Sequence, residues 1–381
     1  MSKIIYLDNN ATTKVADEVR EEISTFLKDI YGNPSSTYNK GREAKKHLGD
    51  AREMVASFFN CREDEVVFTS CGSESNNLAL KGTFFSSIKP IKHIITCKTE
   101  HPSIINTCES LKELGAKITY LNVDRSGHMD LDELKKSITD ETILISLMLA
   151  NNETGVINDI KAISEIASER GVLLHTDAVQ ASGKMGLDVK ALNVDMLSIS
   201  GHKFHAPKGI GALYVKKGLL LKPLIDGGGQ EFGMRAGTEN SAYIAGLKKA
   251  CELVMSDIDE RAAHMLNLKK EFFSKITSAI DGVVCNGDFE KSLPNTLNLS
   301  FKDVDVQSLL ISLDLKGIMV SAGSACASGA PKASRVLTAM GLNDDLLKCV
   351  LRISFSAYSR LEEVMEAADV LIETVNSFRD K

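Results

Sequence analysis

Between residues 65 and 217 short runs rich in apolar and β-branched residues recur at regular intervals. They are EVVFTS (65–70), HIITCKT (93–99), AKITYLNV (116–123), TILISLML (142–149), GVLLHTDA (171–178), VDMLSIS (194–200) and GALYVKK (211–217). Stretches with helical spacing separate most of them, such as ESNNLALKGTFFSS (74–87) and IKAISEIASERG (160–171). Strand-length apolar runs alternating with helices predict an α/β fold, with a mainly parallel seven-stranded sheet flanked by helices on both faces. Ligands of such sheets bind beyond the carboxyl ends of the strands, so chemistry is expected at the residues that close these runs. After GGG (227–229) the pattern changes. One long helical stretch from about 240 to 280 leads into a smaller α+β region over 283–381, which the N-terminal segment is expected to join. The expected division is a large domain, 14–255, and a small domain made of 1–13 plus 256–381.

Composition narrows the function classes. The 381 residues are 43% hydrophobic and 25% charged, enough apolar material for a sizeable core. A net charge of −6 with no basic cluster argues against nucleic acid as a partner. The opening MSKIIYLDNN carries no apolar signal segment, and TILISLMLA (142–150) is too short to span a bilayer. No membrane association and a cytoplasmic location are therefore expected. The eight cysteines, at 61, 71, 97, 108, 251, 285, 326 and 349, include no pair with metal-knuckle spacing. Neither a metal site nor a disulfide framework is expected, and most are read as small buried apolar residues.

Five features at predicted strand ends carry chemistry. Lys203 in ISGHKFHAPKGIG (199–211) leaves the apolar run DMLSIS (195–200). Burial there favours the neutral amine, the form that condenses with a carbonyl to a Schiff base. TSCGSES (69–75) runs from a strand into a helix start, where the backbone N–H groups of Gly72 and Ser73 and the Ser73 hydroxyl face an anion. The helix dipole adds only about 0.3–1 kcal/mol, so hydrogen bonds carry most of that binding. The chain contains neither GxxxxGK[ST] nor GxGxxG. Asp177 closes GVLLHTD, and a buried acid at a strand end calls for a cation. Opposite a protonated pyridine nitrogen, the pair gains roughly 4 kcal/mol at about 4 Å and an effective dielectric near 20, before desolvation. Gln180 follows at a distance suited to a ring hydroxyl. His101 in KTEHPS offers a flat ring for stacking and proton exchange, and Asn152 in ANNETG offers an amide donor to a phenolate or carboxylate. A phosphate cradle, an acid for a ring nitrogen, a stacking ring and a Schiff-base lysine add up to pyridoxal 5′-phosphate.

The order cradle, His, Asp, Lys resembles the fold-type I pyridoxal-phosphate enzymes. YLDNNATT (6–13), YGNPSS (31–36), TSCGSESNN (69–77), TEHPS (99–103), ANNETG (150–155), HTDAVQ (175–180), SGHKFHAPKG (200–209), GGGQE (227–231), RAGTEN (235–240), LPNTLN (293–298) and SAGSACASG (321–329) narrow the likeness. In order and over nearly the whole chain they resemble the NifS/IscS-type cysteine desulfurases of the class V aminotransferase family. The resemblance implies an aminotransferase-like large domain that binds the cofactor through Lys203, with His101 stacking on it and Asp177 facing the pyridinium. It assigns the ring oxygen to Gln180 and Asn152, and the phosphate to Gly72, Ser73, Ser200 and His202. Thr238 is expected to reach the phosphate from the other protomer of a homodimer. Arg352, with Asn152, is expected to bind the substrate carboxylate.

By the same resemblance, Cys326 is the sulfur-accepting nucleophile, and the distance from Cys326 to SRVL (334–337) matches the long-loop group. Its surroundings, GSACASGAPKAS, hold almost no apolar anchor, and the segment of about 321–334 is expected to be mobile. The implied reaction converts L-cysteine to L-alanine with a persulfide on Cys326. Its sulfur then passes to an IscU/NifU-type iron–sulfur cluster scaffold or another acceptor protein. Transamination, selenocysteine cleavage and a non-catalytic sulfur-carrier role for Cys326 are the alternatives. The long loop argues against selenocysteine cleavage, and the intact Lys203 and Asp177 argue against the carrier role. The chain departs from the usual pattern at Tyr38, Cys71, Ser73, Ala236, Arg335 and Ser356, none of which removes a group the chemistry requires.

Overall fold

Residues 3–322 and 333–379 are described by the structure, a computed structural model. Strand β1 (Ile5–Tyr6) and helices α1 (Asp17–Asp29) and α2 (Asn39–Phe59) open the chain. An alternating series follows: β2 (Val66–Thr69), α3 (Gly72–Ser86), β3 (His93–Cys97), α4 (Pro102–Glu113), β4 (Lys117–Leu121), α5 (Leu131–Ser137), β5 (Thr142–Ser146), α6 (Ile160–Glu169), β6 (Leu173–Asp177), α7 (Val189–Leu192), β7 (Met196–Ser200) and β8 (Gly211–Val215). Beyond it lie α8 (Ser241–Met255), α9 (Ile258–Ala279), β9 (Val283–Cys285), β10 (Thr296–Phe301), α10 (Val306–Leu315), β11 (Ile318–Met319), α11 (Arg335–Ala339), α12 (Asp344–Leu347), β12 (Val350–Ser354) and α13 (Leu361–Arg379).

The seven predicted runs form one sheet in the order β2-β8-β7-β6-β5-β3-β4. All neighbours are parallel except β8, which runs antiparallel to β2 and β7. Strands β5, β7 and β8 are buried along their whole length, as a sheet covered on both faces requires. Successive residues alternate between two apolar clusters. Phe68, Ile95, Ile145, Leu197 and Ala212 face the layer of α2, α6 and α8, while Val67, Ile94, Leu144, Met196 and Leu213 face α3 and α4.

The long helical stretch over 240–280 is two helices, α8 and α9, broken at Ser256–Asp257. Asp257 leaves the helical conformation (φ −154°, ψ 31°) and ion-pairs with Arg261. The break has a packing reason. Ile244, Leu247 and Val254 of α8 belong to the large-sheet core, whereas Leu268, Phe272 and Ile276 of α9 belong to a second core with Leu7, Leu299, Ile353 and Leu371. One straight rod would not serve both. This second core covers the antiparallel sheet β12-β10-β9, and β1 pairs in parallel with β11 beside it. Among the described residues no helix is long and apolar enough to cross a membrane, and no group of three or more His, Cys, Asp or Glu is placed to hold a metal.

Candidate active site

Adjacent strands β6 and β7 set the centre of the site. Asp177 pairs with Ser198 across them, and β7 then runs through Ser200 into a single 3₁₀ turn that ends at Lys203. The Lys203 Nζ donates to two main-chain carbonyls, Asn10 O at 2.6 Å and Ala11 O at 2.9 Å. Burial, helped by the nearby Arg352 and opposed by Asp177 and Asp8, pushes its pKa down to about 8. About a tenth of the amine is then neutral at pH 7, far more than for an ordinary lysine, and that is the form a carbonyl needs.

Asp177 is buried, and its carboxylate is held by two donors. Asn76 Nδ2 donates to Oδ2 at 2.7 Å and the Val179 N–H to Oδ1 at 2.9 Å. The second Asn76 N–H goes to Ser103 Oγ at 2.9 Å. Because Ser103 Oγ accepts that bond, its own proton is directed to His101 Nδ1, 2.8 Å away. His101 caps α4, and its Nδ1 also accepts the Ser103 N–H at 3.1 Å. With Nδ1 twice an acceptor, the neutral ring carries its proton on Nε2. Burial lowers the His101 pKa against the pull of Asp177, with Lys203 and Arg335 adding to the lowering.

The turn before α3 has the character of an anion cradle. Cys71 is its N-cap but forms no side-chain cap, so the first-turn N–H groups at Gly72 and Ser73 lack that partner. Ser200 lies against this turn, for a Cβ built on Gly72 would sit 3.3 Å from Ser200 Cβ. The Ser200 Oγ is buried and without a hydrogen-bond partner, a costly state unless a ligand satisfies it. Ser73 is exposed. His202 contacts Thr12 Oγ1 at 3.2 Å, and burial pushes its pKa down to about 4, so it meets an anion as a neutral ring. Free helix-end donors with an orphan hydroxyl suit a phosphate, an acid suits a ring N–H, and a neutral amine suits an aldehyde. The residues therefore fit pyridoxal 5′-phosphate.

The remaining expected residues fall into three groups. Gln180 is buried and donates from Nε2 to Asn10 O at 3.0 Å. Arg352, on β12, donates to Asn152 O at 3.0 Å and pairs with Asp8 Oδ1 at 2.7 Å, so the substrate-carboxylate candidates lie together. No hydrogen bond from the described residues engages the Asn152 side chain. Thr238 is exposed and bonds to none of the others; its segment is tied to α3 through Arg235 Nε to Glu74 Oε1 at 3.0 Å. Cys326 lies outside the described residues.

Four residues with no assigned role prove central. Asn10 is a hub: its carbonyl accepts from Lys203 and Gln180, its Nδ2 donates to Thr296 Oγ1, and its Oδ1 accepts from Asn295. Asp8 holds Arg352, and Asn76 links Asp177 to Ser103. Lys184 is a buried lysine behind the half-buried Lys203. The segments YLDNNATT and TSCGSESNN contain the first three without singling them out, and only the fold shows which side chains meet. Glu100 is also buried beside the site. Its Oε1 accepts the Met148 N–H at 2.7 Å, its Oε2 has no partner, and burial drives its pKa well above the carboxylate range.

The profile of the aminotransferase class-V family matches residues 5–366. A cysteine desulfurase IscS from Dictyoglomus turgidum is 44% identical over 379 residues, covering 100% of this chain and 96% of its own length. A cysteine desulfurase from Trichormus azollae is 45% identical over 376 residues, covering 99% and 94%. Among solved structures, a NifS-like protein superposes with a TM-score of 0.93 at 38% identity, covering 98% of this chain and 100% of that one.

Proposed function

Because the chain belongs to the aminotransferase class-V family, and within it to the NifS/IscS-type cysteine desulfurases, we propose that it converts L-cysteine to L-alanine with pyridoxal 5′-phosphate held at Lys203 and sulfur collected on Cys326. The observation that carries this reading is the half-buried Lys203 amine in the turn after β7, one strand from the buried Asp177 and beside the partnerless Ser200 hydroxyl. When bound, the cofactor supplies an aldehyde for attachment to an amine and a ring that accepts electrons from the substrate Cα. Gly72, Ser73, Ser200 and His202 would hold its phosphate, with Thr238 contributed by the partner of a homodimer. Asp177 would keep the ring nitrogen protonated, Gln180 and Asn152 would donate to the ring oxygen, and His101 would lie against the ring.

Each side chain then has a task suited to its setting. Arg352, oriented by Asp8 and the Asn152 carbonyl, binds the substrate carboxylate through its planar fork. Lys203, as a free amine once the substrate is bound, would take the Cα proton on Nζ. His101, acceptor at Nδ1 and donor at Nε2, exchanges a proton at Nε2. The Cys326 thiolate attacks the substrate sulfur. The S–S bond forms as the C–S bond breaks, the electron pair stays with carbon, and protonation there, with return of the Cα proton from Lys203, yields alanine and a Cys326 persulfide. That sulfur passes to a cluster-scaffold protein or another acceptor. The division into 14–255 and 1–13 plus 256–381 belongs to the same reading, supported by the break at Ser256–Asp257 and the separate second core.

Cys326→Ala is the test. The purified variant is expected to keep the visible absorption of the bound cofactor while forming no alanine from L-cysteine. Full alanine production by that variant would overturn the assignment of Cys326.

A further inference from the structure

A second lysine sits in the crevice behind Lys203, and none of the tasks above uses it. Lys184 is 4% exposed, in the turn that follows Asp177 and Gln180. The crevice is also lined by Lys203, His205, Arg261 and Ser356. The charged groups that bear on its amine are Lys203 and Arg352, both cations, and among the described residues no carboxylate hydrogen-bonds to it. Burial and these cations together drive its pKa well below the lysine range. A buried ammonium without an anion is costly, and the bonding pattern agrees with a neutral amine. Its two N–H groups match the two acceptors present, Gln180 O at 2.9 Å and Gln180 Oε1 at 3.0 Å.

The consequence falls on Gln180. An amide can sit either way round, and its partners decide which end faces where. Lys184 donates to Oε1, so Nε2 faces the opposite side. There it donates to Asn10 O at 3.0 Å, the same carbonyl that accepts Lys203 Nζ at 2.6 Å. Turned over, the amide would set its oxygen against the Asn10 oxygen and give up the bond that Lys184 donates to Oε1. The oxygen–oxygen contact would be repulsive in a buried site.

We propose that Lys184 is a positioning residue: by donating to Gln180 Oε1 it fixes the Gln180 side chain as a hydrogen-bond donor on the Lys203 side, where the second Nε2–H serves the ring oxygen of the bound cofactor. This rests on the pyridoxal-phosphate reading above. A donor at that oxygen stabilises its negative charge and so lowers the pH at which the lysine-bound cofactor gives up its proton. Losing the donor raises that midpoint.

The test is a double-mutant cycle on the holoenzyme, reading the pH midpoint of its visible band for the parent, Lys184→Met, Gln180→Leu and the double variant. Each single change is expected to raise the midpoint by about half a unit to one unit, the worth of one hydrogen bond. The double variant is expected to rise no further, because both act through one contact. A Lys184→Met midpoint equal to the parent's, or shifts that add in full, would overturn the role of Lys184. A parent that binds no pyridoxal 5′-phosphate would overturn the cofactor reading itself and this inference with it. Should Lys184→Met fail to fold, neutron diffraction from the parent holoenzyme decides. Two deuterons on Lys184 Nζ directed at Gln180 O and Oε1 support the role, and a reversed Gln180 amide overturns it.

Discussion

A lysine suited to condensation at neutral pH is made by what is withheld from it. Lys203 Nζ is given two carbonyls and no contacting carboxylate, and burial lowers its pKa to about 8. The folded value lies below the unfolded one of about 10.4, so the folded state releases this proton first. Its contribution to stability is present above the unfolded value and is lost as pH falls through the folded one. Below pH 8 the buried ammonium costs stability. Two outcomes follow for protein freed of cofactor. Reductive labelling of position 203 with pyridoxal and borohydride, followed by peptide mass, should rise with a midpoint near pH 8. At pH 7, Lys203→Met should melt no lower than the parent although it has lost its point of attachment. A labelling midpoint near 10, with a clear fall in melting temperature for Lys203→Met, would show that the site does not disfavour the charge.

At the scale of elements, the site depends on how closely the start of α3 packs on the ends of β6 and β7. A Cβ at Gly72 would come within 2.7 Å of Val179 Cγ2 and 3.3 Å of Ser200 Cβ. Gly72→Val is therefore expected to push α3 away from Ser200, at a cost of about 1–3 kcal/mol in urea unfolding, and to weaken pyridoxal-phosphate retention on dialysis by at least about tenfold. Unchanged retention would remove the phosphate role of this turn. The elements themselves were legible in the sequence because doubly covered strands read as apolar runs, and all seven were found. Lys203, Asp177 and His101 were legible for the same reason, since each closes such a run or caps the helix after it. The break between α8 and α9 was not, because both halves have good helical spacing and only the choice of core separates them. Asn10, Asn76 and Lys184 were also hidden. An asparagine in a loop, one on a helix and a lysine after a glycine read as ordinary surface residues until the fold brings their partners around them.

At the scale of the molecule, the candidate substrate site is a seam. Lys203 and Asp177 come from the large sheet, Arg352 from β12 of the smaller one, and Asp8 and Asn10 from the N-terminal segment that joins them. Arg352 is 5% exposed at its side chain and Asp8 19%, so their 2.7 Å pair is largely withdrawn from water. Removing the carboxylate leaves the more buried member without that charge, the costly way to break such a pair. Asp8→Asn should therefore melt below the parent. A ligand carboxylate bound at Arg352 takes over the charge that Asp8 supplied, and binding to the folded state alone raises stability by mass action. Adding L-alanine, the expected product, should raise the melting temperature of Asp8→Asn more than that of the parent. Glycinamide, which lacks the carboxylate, should raise neither. An equal shift in both proteins would mean that the carboxylate is read elsewhere than at Arg352, and that the seam holds the two parts together without binding the substrate.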